Sequence, residues 1–355
     1  MKKKILIAPL SWGIGHATRC IPIIEELLAL NYEPVIASDG DALTLLRKEF
    51  PTLKTIALPK YNIKYPKKAF LLTASLFFQV PRLLLVIKKE QKQINKIVEN
   101  ERISGIINDN RFGCFSKEVP TIYVTHQVNV LSGFATFLTS KIHQFLIRKA
   151  DEIWIPDDEN IRISGKLSKT SLKNTSFTGV LSRFKLPEKL PKIKYDILVL
   201  LSGVETQRML LEKILIKELA SLNKKILFVR GVISDKEKIK NTKNITFVNY
   251  MLKEDLQDAI LTSDLVVSRS GYSTIMDLAI LQKKCFFIPT PNQKEQEYLA
   301  QRMQELHIAP YVKQTDFKAD LLHKITDFTG FINIKKQDFL KELIITAKIH
   351  KISFV

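Results

Sequence analysis

Ser268–Met303 reads SRSGYSTIMDLAILQKKCFFIPTPNQKEQEYLAQRM, and its pattern decides the fold. Leu265–Val267 are apolar and run into a turn at Ser268-Arg269-Ser270-Gly271. Ile275, Leu278, Ala279 and Leu281 then recur at helical spacing, and a second apolar run, Cys285–Ile288, stops at Pro289. A polar loop leads into a further helix that carries Gln296 and Glu297. Strand, turn, helix, strand, loop, helix is one βαβ crossover and the start of the next. It predicts parallel sheet covered by helices.

The turn in that unit has the chemistry of a diphosphate site. Glycine between strand and helix lets backbone approach a ligand closely. The first amides of the helix then face the ligand, with the positive end of the helix dipole behind them. Arg269 shares the turn, Ser270, Ser273 and Thr274 add hydroxyls, and Asp277 follows one helical turn beyond Ser273. A carboxylate there suits the two hydroxyls of a ribose. The same residues also fit an ordinary βα turn with a serine cap.

Outward from this stretch, 355 residues suggest two domains, and 45% hydrophobic content is enough for sizeable cores. The formal charge of +19 suits a polyanionic partner, or reflects a lysine-rich composition on every solvated face. Nucleic acid is not the expected partner, because no module interleaves aromatic with basic residues. Cys20, Cys114 and Cys285 are far apart with no CxxC, which argues for a reduced compartment and against a zinc site. The apolar run Ile5–Leu10 is too short for a signal peptide and reads as a first strand, so the expected location is cytoplasmic.

Lys4–Leu10 leads into Ser11-Trp12-Gly13-Ile14-Gly15-His16-Ala17-Thr18-Arg19 and then a helical segment from Cys20. The loop lacks the third glycine of a dinucleotide fingerprint and the Lys-Ser/Thr pair of a P-loop. Further strands are expected at Glu33–Ala37, Thr55–Leu58, Ile103–Asn108, Thr121–Val124 and, last in this half, Asp151–Pro156. Polar residues at their carboxyl ends, Asp109, Asn110, Arg111 and His126, would face a ligand crevice or serve as turn residues. The hydrophobic region Ala69–Ile87 has basic flanks, but Gln79, Pro81 and Arg82 interrupt it. It is two core helices broken at Pro81, or an interfacial element, rather than a membrane span.

The motifs together resemble the glycosyltransferases related to MurG, which bind UDP-N-acetylglucosamine on a GT-B fold. The resemblance rests on Arg269-Ser270-Gly271, Asp277, Pro289 and Gln296-Glu297, and on the GxGH loop ending at His16. Aspartate stands where the family usually has glutamate, and Glu297 where it has a second glutamine. The resemblance implies an α/β protein with two Rossmann-like doubly wound domains facing across a cleft. The acceptor-side domain would span 1–180, a linker 181–194, and the nucleotide-sugar domain 195–334, with 335–355 returning to the first domain as a helix.

The implied activity is inverting transfer of a sugar, expected to be N-acetylglucosamine, from a UDP-sugar to a hydroxyl of a cell-envelope glycan or lipid-linked acceptor. The donor set would be Gly15, Arg183, Ser202, Gly203, Tyr250, Met251, Arg269, Ser270, Gly271, Ser273, Asp277, Gln296 and Glu297. His16 is the candidate general base, since imidazole titrates near neutrality; Asp109 and His126 are rivals. His16 could equally be a helix N-terminal residue that only bonds to its loop. Arg19, Asn110, Arg111 and His126 would lie on the acceptor side. No metal or other cofactor is expected, because no DxD-type pair stands where a metal would be needed. Relatives acting on lipid-linked acceptors carry a hydrophobic, basic-rimmed patch in the first domain, which adds an anionic membrane surface on the cytoplasmic side as a further partner. Two other readings fit the same motifs: a nucleotide-sugar-binding protein without activity, and a UDP-sugar epimerase.

Overall fold

The computed structural model describes residues 2–62, 72–133, 136–160, 163–233, 239–331 and 339–351. The chain divides into two compact units: unit 1 is Met1–Ser11, Arg19–Gly179 and Gln337–Val355, and unit 2 is Trp12–Thr18 and Val180–Lys336. The short GxGH loop thus counts with unit 2, and the division falls inside the first helix.

Unit 1 is built on β1 (Lys4–Pro9), β2 (Glu33–Ser38), β3 (Thr55–Ala57), β4 (Ile103–Asp109), β5 (Thr121–Val124), β6 (Glu152–Ile155) and β7 (Thr175–Phe177). Their order across the sheet is β3-β2-β1-β4-β5-β6-β7, and every pair is parallel. Ile5, Leu6, Ile7 and Ala8 have no exposed surface. Helices therefore cover both faces, and this strand reads as an unbroken apolar run rather than an alternation. Strand β7 lies beyond the one expected to be last; with only Thr-Ser-Phe at the edge, it has no apolar run to announce it.

Among the helices of unit 1 are α1 (Gly15–Ala29), α2 (Gly40–Glu49), α3 (Leu72–Glu101) and α4 (Thr136–Ile147). The expected break at Pro81 does not occur: α3 runs through it for 30 residues. A proline removes one backbone hydrogen bond, and a helix this long keeps its remaining ladder on either side. Positions 69–71 of the hydrophobic region lie outside the described residues, as do 335–338 at the start of the last segment. No helix among the described residues is long and apolar enough to cross a membrane. The chain ends in α9 (Phe339–Thr346) and α10 (Lys348–Lys351), which belong to unit 1. Gly105 in β4 is what admits α10, because a Cβ there would meet Ile349 Cγ2 at 2.6 Å.

Unit 2 carries β8 (Tyr195–Leu200), β9 (Ile226–Val229), β10 (Ile245–Val248), β11 (Ser263–Ser268) and β12 (Cys285–Phe287), interleaved with α5 (Glu205–Leu219), α6 (Lys253–Leu261), α7 (Tyr272–Ile280) and α8 (Lys294–Glu305). The order is β10-β9-β8-β11-β12, again all parallel. Val199, Phe228, Val267 and Phe286 from four neighbouring strands share one core with Leu211 and Leu215 of α5. In both units the chain starts mid-sheet and winds outward in both directions. The topological switch points are β1/β4 and β8/β11, where open α/β sheets bind ligands outside the strand ends.

Candidate functional site

At the switch point of unit 2, β8 runs into Leu201-Ser202-Gly203 and β11 into Arg269-Ser270-Gly271. Gly203 sits at φ +102, a left-handed conformation that an L side chain rarely adopts, and a Cβ there would meet nothing within 4 Å. The turn is therefore glycine for its backbone and leaves open space above it. Gly271 is the N-cap of α7 and offers no side chain to it. The opening amides of α7 are helix-terminus donors that glycine does not cover.

The side chains around that terminus hold the turn together. Ser270 Oγ donates to the Gln296 carbonyl at 2.8 Å. Ser273 Oγ donates to the carbonyl of Gly15 at 2.8 Å, which ties the GxGH loop counted with this unit to the first turn of α7. His16 is the next residue on that loop.

Arg269 is placed differently from the expectation. Its guanidinium points into the unit and donates to the carbonyls of Ile288, Pro289 and Gln207 at 3.0 Å each and to Gln314 Oε1 at 2.6 Å. Burial brings it down to about 10, still charged at neutral pH. It clamps the ends of β11 and β12. Gln296 and Glu297 are likewise spent on their own loop: Gln296 Oε1 accepts from Thr290 N and Glu297 Oε1 from Asn292 N, both at 2.8 Å.

Asp277 is buried on α7 and meets the start of the linker segment. Ser182 Oγ donates to its Oδ1 at 2.7 Å, and Arg183 Nε lies 3.4 Å from Oδ2, an ion pair without a well-formed hydrogen bond. Burial pushes the Asp277 carboxyl up, and Arg183 and Ser182 offset part of that. The Arg183 guanidinium also stacks over Phe184, 4.8 Å from the ring centre. Ser182 was not among the expected site residues; its only signal is its place beside Arg183. Tyr250 and Met251 follow β10 at the carboxyl edge of the same sheet.

Unit 1 has its own polar cluster at the β1/β4 switch point. Arg19 is buried and takes both oxygens of Asp109, with Nε 2.5 Å from Oδ2 and Nη2 on Oδ1. Its Nη1 is 2.7 Å from His126 Nδ1. A guanidinium only donates, so Nδ1 of His126 is the acceptor and the neutral ring carries its proton on Nε2. Asp109, with no exposed surface, is the counter-ion of Arg19; His126 is a donor at its outer nitrogen. In this arrangement Asp109 and His126 both meet Arg19.

Arg111 is consumed in the same way. It donates to Glu90 Oε1 at 2.5 Å, Asp39 Oδ1 at 2.6 Å and the Pro59 carbonyl at 2.8 Å, and has no exposed surface. Glu90 Oε2 also accepts from Tyr61 Oη at 2.5 Å and Gly113 N at 3.0 Å. These partners come from four separate stretches of chain. They pin the loop Asp109–Gly113, in which Asn110 adopts φ +61. Among the described residues, no group of three or more His, Cys, Asp or Glu side chains forms a metal site.

Residues 199–338 match the family model described as glycosyltransferase family 28 C-terminal domain. The chain is similar to an uncharacterized glycosyltransferase of Methanosarcina acetivorans, 24% identical over 332 residues, covering 85% of this chain and 83% of that one. It is also similar to the UDP-N-acetylglucosamine–N-acetylmuramyl-(pentapeptide) pyrophosphoryl-undecaprenol N-acetylglucosamine transferase of Prochlorococcus marinus, at 25% over 325 residues and 82% of each chain. Among solved structures, the spinosyn rhamnosyltransferase SpnG aligns with a TM-score of 0.66 at 13% identity, covering 98% of this chain and 99% of that one. That likeness is one of fold.

Proposed function

From a chain that is a MurG-related glycosyltransferase of the GT-B fold, we infer that it moves a sugar, N-acetylglucosamine, from a UDP-sugar to a hydroxyl of a cell-envelope glycan or lipid-linked acceptor. One observation carries the donor side: the switch point of unit 2 presents a glycine-opened helix terminus beside an open glycine turn. A diphosphate there would receive the amides of α7 and the backbone of Ser202-Gly203. Asp277 keeps lone pairs beyond those taken by Ser182 and Arg183, enough to accept ribose hydroxyls. Arg183 is the guanidinium nearest this carboxylate and is assigned to the diphosphate.

His16 takes the proton of the acceptor hydroxyl as the oxygen attacks the anomeric carbon from the face opposite UDP. The bond to the diphosphate breaks, its electron pair stays on UDP, and the sugar is delivered with inversion. With Asp109 and His126 both committed to Arg19, His16 is the remaining candidate for this step. The charge of the leaving group is met by preorganised dipoles and Arg183, so no metal takes part.

On the acceptor side, α4 exposes Phe137, Leu138, Ile142 and Phe145, with Lys141 over the Phe137 ring. Leu138, Ile142 and Phe145 follow at steps of four and three, so they share a helix face, which suits peripheral contact with an anionic membrane carrying the acceptor.

The test is transfer from labelled UDP-N-acetylglucosamine to lipid-extracted acceptor in excess EDTA. Turnover is expected in EDTA, with His16→Ala lowering kcat by roughly 10²–10⁴-fold. An absolute requirement for a divalent cation, or full activity in His16→Ala, would overturn the mechanism.

A further inference from the structure

The exits of β9 and β10 in unit 2 meet on one chain of charges. Arg208 on α5 donates to Glu205 Oε2 through Nε at 3.0 Å and to Oε1 through Nη2 at 2.6 Å, and its Nη1 reaches Glu212. The same nitrogen donates to the Arg230 carbonyl at 3.1 Å. Glu212 Oε1 accepts from Arg230 Nε at 3.1 Å and Nη2 at 3.0 Å. Arg230 Nη1 then donates to Asn249 Oδ1 at 2.8 Å. Arg208, Glu212 and Arg230 are all buried. Charges alternate along the chain, and Glu205, Arg208, Glu212 and Arg230 cancel in pairs.

The backbone follows the same route. Arg230 N donates to Val248 O at 2.9 Å and Val232 N to Asn249 O at 2.8 Å, so the exits of β9 and β10 run together. Gly231 sits at φ +71, and a Cβ there would fall 2.3 Å from Leu201 O. The exit of β9 therefore presses on the Leu201–Gly203 turn. One network braces both the open glycine turn and the loop Asn249-Tyr250-Met251.

Buried ion pairs are weak devices for stability, since apolar residues of similar volume often serve as well or better. Their attested use is to fix geometry. Arg230 can only donate, so Asn249 must turn its oxygen inward, and the rotation of that amide is set before any ligand arrives. A loop ordered in advance loses less freedom on binding.

We propose that Arg230, held by Glu212, is a positioning residue for nucleoside recognition: through Asn249 it fixes the loop of Tyr250 and Met251, two residues of the expected donor set. This rests on the donor reading above. It adds a specificity role for Arg230, Glu212 and Asn249.

The experiment is calorimetric titration of the full chain and of Arg230→Gln and Asn249→Ala with UDP, CDP, ADP and inorganic pyrophosphate. Both variants are expected to lose about tenfold of the preference for UDP over ADP, equivalent to ~1.4 kcal/mol, while pyrophosphate binds as before. Asn249→Ala leaves the Arg230–Glu212 pair in place and keeps the test usable if Arg230→Gln does not fold. Folded variants with the original preference would overturn the proposal, as would UDP and pyrophosphate weakening together. A wild-type chain that binds none of these nucleotides would bring down the donor reading and this proposal with it, before any variant is compared.

Discussion

Replacing Asp109 by asparagine separates structure from catalysis most cleanly. Asp109 and Arg19 have 0% and 2% of their surface exposed, so the pair is screened by neither water nor salt. Asparagine keeps the shape and removes the charge, leaving the guanidinium buried against the His126 ring and a neutral amide. Breaking a buried pair by removing one partner costs about 3–5 kcal/mol. In a unit of this size that lowers Tm by roughly 6–20 °C. Replacing both partners, Arg19→Met with Asp109→Leu, is expected to recover most of the loss, because it leaves no uncompensated charge. The assays are thermal unfolding followed by intrinsic fluorescence, and turnover per folded molecule well below the new Tm. Specific activity of Asp109→Asn should stay within a few-fold of wild type. If Asp109 were the base, Tm would be nearly unchanged and kcat would fall by roughly 10²–10⁴-fold. That outcome would refute the assignment of Asp109 as counter-ion.

Two other predictions concern α4. His143 is buried between Phe112 and Tyr123, its Nε2 has no hydrogen-bond partner, and burial lowers it from 6.5 to about 4. The unfolded chain therefore binds more protons between those values, so stability falls as pH drops from 6.5 towards 4, by on the order of 3 kcal/mol. His143→Leu should flatten that part of a denaturant-midpoint profile; an unchanged slope would place the effect elsewhere. On the opposite face, Phe137 and Phe145 are 75% and 68% exposed. Changing both to serine should reduce co-sedimentation with phosphatidylglycerol vesicles at least several-fold without altering Tm, and equal sedimentation would remove α4 from the membrane account.

Local pattern carried most of the architecture. The apolar runs and the glycine turn at Ser270-Gly271 were legible because a buried parallel strand and the turn after it each leave a signature within a few residues. Pro81 misled for the converse reason: a single proline is a strong local signal, and α3 absorbs it within its length. The arginines were the hardest to read. Arg19, Arg111 and Arg269 all sit beside glycine turns at strand ends, the position where a phosphate ligand would be expected. Which anion or carbonyl each one meets is decided by contacts 90, 72 or 62 positions away, with Asp109, Asp39 and the Gln207 carbonyl. No spacing rule reports that. Ser182 and Glu212 were missed because a lone serine in a loop and a lone glutamate in a helix look like solvent-facing residues until their partners are known.

The donor site is the claim on which the rest depends, and titration of the wild-type chain and Asp277→Asn with UDP in excess EDTA tests it most directly. Asparagine keeps the volume of Asp277 and its contact with Ser182 while removing the charge that meets Arg183. Micromolar binding to the wild type, about −8 kcal/mol, weakened at least tenfold in the variant, is the expected result. Absence of UDP binding in the folded wild type, or equal binding to both chains, would contradict the account.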